Sequence, residues 1–315
     1  MKAIVINSFG GREKLVFTTV PDPVPAAGEI LIRERAAGVN PVDWKIRAGF
    51  LKDRLPHKFP LILGWDTAGE IAAVGRGVES FAVGDDVIAY CRKPVVQGGT
   101  YAEYVVVPEG FVARKPKGLG YEESAAIPLA GLTAYQSLFK AGRLKSGETV
   151  LIHAAAGGVG GFAVQLAAHA GATVIGTASG RNHQYVRNLG AKAVIDYTKI
   201  DFRQAVLRLF PDGVDLVFDC VGGEVTSNSV EVLKPGGRIV TIIAGSVLEE
   251  LQRLGRDVRY VFVEPNGQEL TQLSEFADAG ILRVELSGVL QLEQAAKAHE
   301  LIETGHTCGK IVLTI

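Results

Sequence analysis

The segment "LIHAAAGGVGG" places Ala155, Gly157 and Gly160 at the three positions of a G-x-G-x-x-G turn, with alanine standing for the first glycine. Residue types at this spacing handle phosphate. Gly157 lets the backbone approach a pyrophosphate, Gly160 lets a helix pack closely on a strand, and the helix N-terminus offers unpaired N–H groups with a positive dipole end. The turn needs an apolar strand before it and an amphipathic helix after it. "TVLIHAA" supplies the first; Val159, Phe162, Ala163, Leu166 and Ala170, at helical spacing from Gly158 to His169, supply the second. A carboxylate that would hold a ribose 2′-hydroxyl is expected about twenty residues on. The chain instead reads Thr177-Ala178-Ser179-Gly180-Arg181. Neutral Ala178 and Ser179 beside cationic Arg181 favour a 2′-phosphate, Asn182 adds a polar side chain, and Tyr197 after "VID" is placed to cap the same pocket. The ligand expected from these residues is NADPH. The competing reading of Arg181 is a solvated surface charge.

The elements that must position these groups follow from periodicity. Up to about residue 118 the chain reads as short strands between Gly and Pro punctuation, "AIVIN", "EILIRERAAGV", "DTAGEIAAVG", "GDDVIAY" and "TYAEYVVVP", which predicts a small irregular β-barrel-like domain. From Tyr121 strands alternate with helices: "TVLIHAA", "ATVIGTA", "AVIDY", "DLVFDCVGG", "GRIVTIIAG" and "RYVFVEP" form six strands, with helices around "NHQYVRNLG", "DFRQAVLRLF" and "VTSNSVEVLK" between them. A doubly wound parallel sheet is the economical assembly. The tail from Ser287 reads as a helix and one strand that returns to the first domain.

Composition narrows the class. The 315 residues carry a net charge of -1, without the basic footprint of a nucleic-acid or membrane-surface binder. No apolar run reaches the ~20 residues of a bilayer span, and "MKAIVINSFGG" reads as a strand, not a signal peptide. Cys91, Cys220 and Cys308 match neither a disulfide framework nor a zinc spacing, so a reduced, cytoplasmic setting is expected.

"GVNPVDWKIRAG" (38–49), "LPHKFPLILGWDTAGEI" (55–71), "VGRGVESFAVGDDV" (74–87), "GGTYAEYVVVP" (98–108), "IPLAGLTAYQSL" (127–138), "AAGGVG" and the terminal "GKIVLTI" run in this order from end to end. Together they resemble the zinc-independent quinone oxidoreductases of the medium-chain dehydrogenase/reductase superfamily, nearest the chloroplast-envelope quinone oxidoreductase homologue and alkenal reductase branch. The resemblance implies an α/β fold: a GroES-like β-rich catalytic domain (1–120 and 265–315), a doubly wound Rossmann domain for NADPH (121–264), and an active site in the cleft. It also implies a homodimer, paired through "GRIVTIIAG" and "RYVFVEP" at a sheet edge. The zinc alcohol dehydrogenases of that superfamily have cysteine where this chain has Asn40 and a His-Glu pair where it has Trp65-Asp66, so no metal is expected.

Without a metal, a planar conjugated acceptor is favoured, a quinone or an enone or enal whose oxygen takes the arriving charge. Asn40 and Lys45 are the candidate donors, Lys45 toward the oxyanion or the cofactor ribose, and Trp44 and Trp65 would line a flat slot. Lys45 stands where relatives often carry tyrosine. The alternatives are scaffold roles: an Asp43–Arg47 pair on one helical face, and Trp65 as core. By motif position Thr133, Gly158, Val159, Val221, Gly222, Ala244 and Gly245 are further cofactor contacts. Lys310 either reaches the cofactor phosphates or lies on a sheet edge. His153 reads as a satisfied core residue, and His57, in the loop "LPHKFP", is placed to border the cleft with no role assigned to it. Competing functions on the same fold are an enoyl thioester reductase and a non-enzymatic NADPH-binding sensor or structural protein.

Overall fold

The computed structural model describes residues 1–315, which divide into two compact units. One comprises Met1–Leu132, Glu264–Gly280 and Val284–Ile315; the other comprises Thr133–Val263 and Ile281–Arg283.

The first unit is built on the strand Glu29–Val39. It pairs antiparallel with Asp66–Val74, with Tyr104–Pro108 and with the returning Lys310–Thr314, inside a seven-stranded sheet. Its first half alternates buried and accessible residues, and its second half is almost wholly buried. Ile30, Ile32, Ile71, Val87, Val105 and Val112 make the core beneath it. A three-stranded sheet of Val16–Thr19, Lys2–Ile6 and Leu61–Ile62 completes the β-rich part. The tail holds more than the expected helix and strand. Leu286–Gln291 is itself a strand, parallel to Lys310–Thr314, ahead of the helix Ala295–Glu303.

In the second unit the strands are β1 (Thr149–Ile152), β2 (Thr173–Ala178), β3 (Ala193–Asp196), β4 (Val214–Asp219), β5 (Leu233–Thr241) and β6 (Val258–Tyr260). They are all parallel, in the order β3-β2-β1-β4-β5-β6. This is the doubly wound arrangement, with the strand order reversing between β1 and β4. The helix α1 (Gly158–His169) follows β1 with the bounds its periodicity predicts. Val150, Leu151 and Ile152 are fully buried, as a central parallel strand requires. The helix expected through "VTSNSVEVLK" is shorter, Glu224–Ser229, and gives way to a 3₁₀ turn at Val230–Val232. β-branched valines and the Pro235 that follows disfavour its continuation. No helix of the chain is long and apolar enough to cross a membrane.

Candidate functional site

At the end of β1 the chain turns through Ala154, whose φ is +53°, and enters α1 at Gly157. A Cβ on Gly160 would lie 2.2 Å from the Ala154 carbonyl oxygen, so only glycine lets the helix start this close to the strand. The alanine at the first fingerprint position is compensated across the sheet: Ala155 is fully buried and its methyl faces Gly176, where a Cβ would stand 2.8 Å away. Gly157 is different. A Cβ there meets only the Ala154 oxygen at 3.3 Å, which leaves its face open toward a ligand. Gly158 and Val159, both half-buried, present the first turn of the helix. This cradle fits a pyrophosphate.

β2 and β3 lie side by side with Ala178 opposite Asp196, so the turns that follow them begin together. The first is a 3₁₀ turn at Gly180–Asn182, in which Asn182 N–H donates to the Ser179 carbonyl at 2.9 Å and Asn182 Nδ2 to Ser179 Oγ at 3.4 Å. Arg181 is exposed and has no carboxylate partner. Tyr197, after β3, is 54% exposed. A free guanidinium with serine and asparagine at its base suits a 2′-phosphate.

Val221 and Gly222 follow β4, and their N–H groups donate to Asp219 Oδ1 at 2.8 and 3.0 Å. Asp219 Oδ2 takes the Thr241 hydroxyl at 3.1 Å and the Thr226 hydroxyl. This buried acid shapes the turn and ties the ends of β4 and β5 together. The sequence reading missed it; its signal is an acid closing an otherwise apolar strand. Ala244 and Gly245 line a depression of about 180 Å³ with Gly223, Thr226 and Ile243. Every one of these groups sits at the carboxyl ends of parallel strands, where dinucleotides bind. His153 is the satisfied core residue expected. Ser229 Oγ donates to the Val225 carbonyl and therefore accepts from His153 Nε2–H at 3.0 Å, while Thr177 Oγ1 stands 3.2 Å from Nδ1. Burial holds its pKa down at about 4.

The other candidates belong to the first unit, apart from Thr133, which is buried on the helix Pro128–Tyr135. Asn40 precedes the short helix Pro41–Arg47, and Asp43 Oδ2 accepts its N–H at 2.8 Å. The Asn40 side chain does not point to solvent. Its Nδ2 donates to Asp66 Oδ2 at 2.8 Å, and its Oδ1 accepts from Lys310 Nζ. Lys310 also donates to the Val39 carbonyl at 3.1 Å and lies 3.6 Å from Asp66 Oδ2. Asp66 Oδ1 accepts the Leu129 N–H at 2.8 Å, at the start of the helix that carries Thr133. Two expectations are corrected here. Lys310 neither reaches out toward phosphates nor occupies a sheet edge, because its strand is paired on both sides and its ammonium is spent on Asn40, Val39 and Asp66. Asn40 is the hinge of this buried network, not a free donor. Burial lowers the Lys310 amine and raises the Asp66 carboxyl, each effect opposed by the partner's charge. Separating the two would strand a charge in the core, a loss of several kcal/mol.

Asp43 and Arg47 do not pair. Asp43 Oδ2 takes the Tyr101 hydroxyl at 3.0 Å, while Arg47 binds His299 Nδ1 at 3.0 Å, Glu303 at 2.8 Å and the Gly10 carbonyl at 3.2 Å. Trp65 is 4% exposed, its ring edge-on to Tyr90 at 6.1 Å, so it is core packing and not an open wall. Trp44 is half-buried: its ring meets the exposed Phe50 edge-on at 5.7 Å, and Lys45 Nζ lies 5.9 Å from its centroid. Lys45 is half-buried without an acidic partner, and burial lowers its amine. His57 packs against Phe9 and Phe59 and bonds the Leu55 carbonyl, a structural role.

Residues 26–117 match the alcohol dehydrogenase GroES-like domain, and residues 189–313 match the zinc-binding dehydrogenases. The chain is 34% identical to the chloroplast envelope quinone oxidoreductase homologue of Arabidopsis thaliana, across 99% of this chain and 98% of that one. It is 34% identical to the chloroplastic NADPH-dependent alkenal/one oxidoreductase of the same plant, across 99% and 79%. The solved quinone oxidoreductase of Coxiella burnetii superposes with a TM-score of 0.90 at 39% identity, covering 100% of this chain and 99% of that one. The zinc for which the family matched by residues 189–313 is named finds no donor set in this chain. No group of three or more His, Cys, Asp or Glu is placed to hold a metal, and the oxygens of Asn40 and Asp66 face a lysine ammonium.

Proposed function

Because the chain belongs to the medium-chain dehydrogenase/reductase superfamily, in the branch of the quinone oxidoreductases and alkenal/one oxidoreductases, we propose that it is an NADPH-dependent reductase of quinones and α,β-unsaturated carbonyls. When bound, NADPH supplies the hydride that, with one proton, turns a quinone into a hydroquinone or an enone into a saturated ketone.

The chain's own part is to hold, orient and compensate charge. The Gly157–Gly160 turn would carry the pyrophosphate, Ser179, Arg181, Asn182 and Tyr197 would hold the 2′-phosphate, and Val221, Gly222, Ala244 and Gly245 would line the ribose side. Trp44 and Phe50 would offer aromatic surface to a planar acceptor, and Lys45, beside the Trp44 ring, would compensate the charge that develops on its oxygen. Asn40, Asp66 and Lys310 act behind them by fixing the start of the helix that carries Lys45. The reaction is read as zinc-independent, its charge managed by organic side chains. Three free cysteines support a reducing, cytoplasmic setting, and the open edge of β6 supports a homodimer.

The observation that carries the reading is Lys45: an ammonium beside an aromatic ring, half-buried and unpaired, is costly to keep unless an anion arrives. NADPH oxidation followed with 1,4-benzoquinone, 9,10-phenanthrenequinone, acrolein and 2-hexenal tests it. Turnover with members of both classes is expected, and Lys45→Ala should lower kcat/KM by about tenfold or more. Tight cofactor binding without turnover of any acceptor would point to a sensor.

A further inference from the structure

The sequence leaves out the acid at the end of β2, yet the fold returns one to the same place from the neighbouring strand. Asp196 closes β3 directly opposite Ala178. A Cβ on Gly180 would stand 2.7 Å from Asp196 Oδ2, so the carboxylate lies against the glycine between Ser179 and Arg181. Its other oxygen, Oδ1, is pinned by the Thr198 N–H at 3.0 Å and the Thr198 hydroxyl at 2.6 Å. Those bonds, from the hydroxyl above all, keep the carboxyl below its ordinary range and therefore ionised at neutral pH. The nearest cation is Lys199 at 3.8 Å, 80% exposed, a partner that neutralises little. The Asp196 side chain itself is only 11% exposed. A fixed anion thus borders the turn that carries the free Arg181.

We propose that Asp196 is a specificity-determining residue of the cofactor site, where it repels the 2′-phosphate of NADPH and offers an acceptor to the 2′-hydroxyl of NADH. The proposal rests on the reading of the Ser179–Asn182 turn as the 2′-phosphate pocket. Arg181 and Asp196 then act in opposition. The pocket prefers NADPH by less than the arginine alone would give, and it retains NADH as a usable second cofactor. Gly180 is required for this balance, because a side chain there would displace the carboxylate from the pocket wall.

Asp196→Asn removes the charge while keeping an oxygen for both Thr198 bonds, so the turn is preserved. The full chain, as wild type, Asp196→Asn and Arg181→Ala, is titrated with NADPH and with NADH by nucleotide fluorescence at low and at high salt. Asp196→Asn should tighten NADPH by about threefold or more at low salt, the repulsion between unit charges across roughly 7 Å of water. The gain should shrink at about 0.5 M salt, and NADH should bind no better than before. Arg181→Ala isolates the premise, since it should weaken NADPH about tenfold and leave NADH unchanged. If it does so while Asp196→Asn leaves NADPH affinity unaltered, the role of Asp196 is overturned and the pocket stands. If Arg181→Ala weakens both nucleotides equally, the pocket falls and this proposal falls with it.

Discussion

Single residues were legible in the sequence where their chemistry depends on close neighbours in the chain. Gly157, Gly160 and Arg181 carry meaning through their place around one strand-turn-helix unit. Lys310 and Asn40 do not, because they meet across 270 positions and nothing near either one announces the other. The same network sets a pH dependence. Asp43 is fully buried; Asn40 N–H and the Tyr101 hydroxyl satisfy Oδ2, while Oδ1 has no partner. Burial above all pushes its carboxyl from 3.8 to about 7, Asp66 adds to the rise, and Lys310 opposes it. Between those values the folded chain keeps a proton that the unfolded chain releases. This group's contribution to stability therefore falls as pH climbs through that window. Asp43→Asn retains an acceptor for both bonds and has nothing to ionise. The variant's stability relative to wild type should rise from about pH 4 to pH 7, at up to about 1.4 kcal/mol per unit. Thermal melts across that range measure it, and a difference that stays flat would show that Asp43 carries no such proton.

At the scale of elements, the periodic segments declared themselves: α1 has the bounds its apolar spacing gives, and six strands emerge in doubly wound order. What stayed hidden were pieces defined by pairing. Leu286–Gln291 is a strand because Lys310–Thr314 lies beside it, and its alternating burial was masked by the strongly helical sequence that follows. The phosphate turn allows two glycines to be told apart by what surrounds them. Gly160→Ala puts a methyl 2.2 Å from a backbone oxygen that cannot yield, so α1 must slide off β1. Such overpacking should cost about 1–3 kcal/mol of stability, along with most of the nucleotide affinity. Gly157→Ala meets the same oxygen at 3.3 Å, a contact the turn can absorb, but its methyl fills the face open to ligand. It should melt within about 0.5 kcal/mol of wild type while binding NADPH at least about tenfold more weakly. Denaturant melts paired with nucleotide titration separate the two, and equal loss of stability in both variants would remove the distinction.

For the whole molecule, the texture of the sequence changes near Tyr121, and the chain divides into two compact units whose sheet types, with different periodicity, leave different sequence signatures. The first unit runs on through Leu132, because the short helix Tyr121–Ala125 packs on the strands Glu29–Val39 and Asp66–Val74. Which of the expected segments lies at a sheet edge is decided by the strand order. Of the two segments expected to supply an edge, β5 lies inside the sheet between β4 and β6, and only β6 is open. Val261 N–H serves the Thr241 carbonyl, so by alternation the Tyr260 N–H points away from the sheet, toward whatever pairs there. An unpaired edge strand in a parallel sheet is a template for a second copy. Light scattering on the eluting protein should give twice the 33.5 kDa chain mass. Tyr260→Pro removes the outward donor while sparing the inward ladder, and it should shift the population to monomer at unchanged secondary structure. A wild-type chain that elutes as monomer, or a Tyr260→Pro dimer as firm as wild type, would mean that copies do not join along β6.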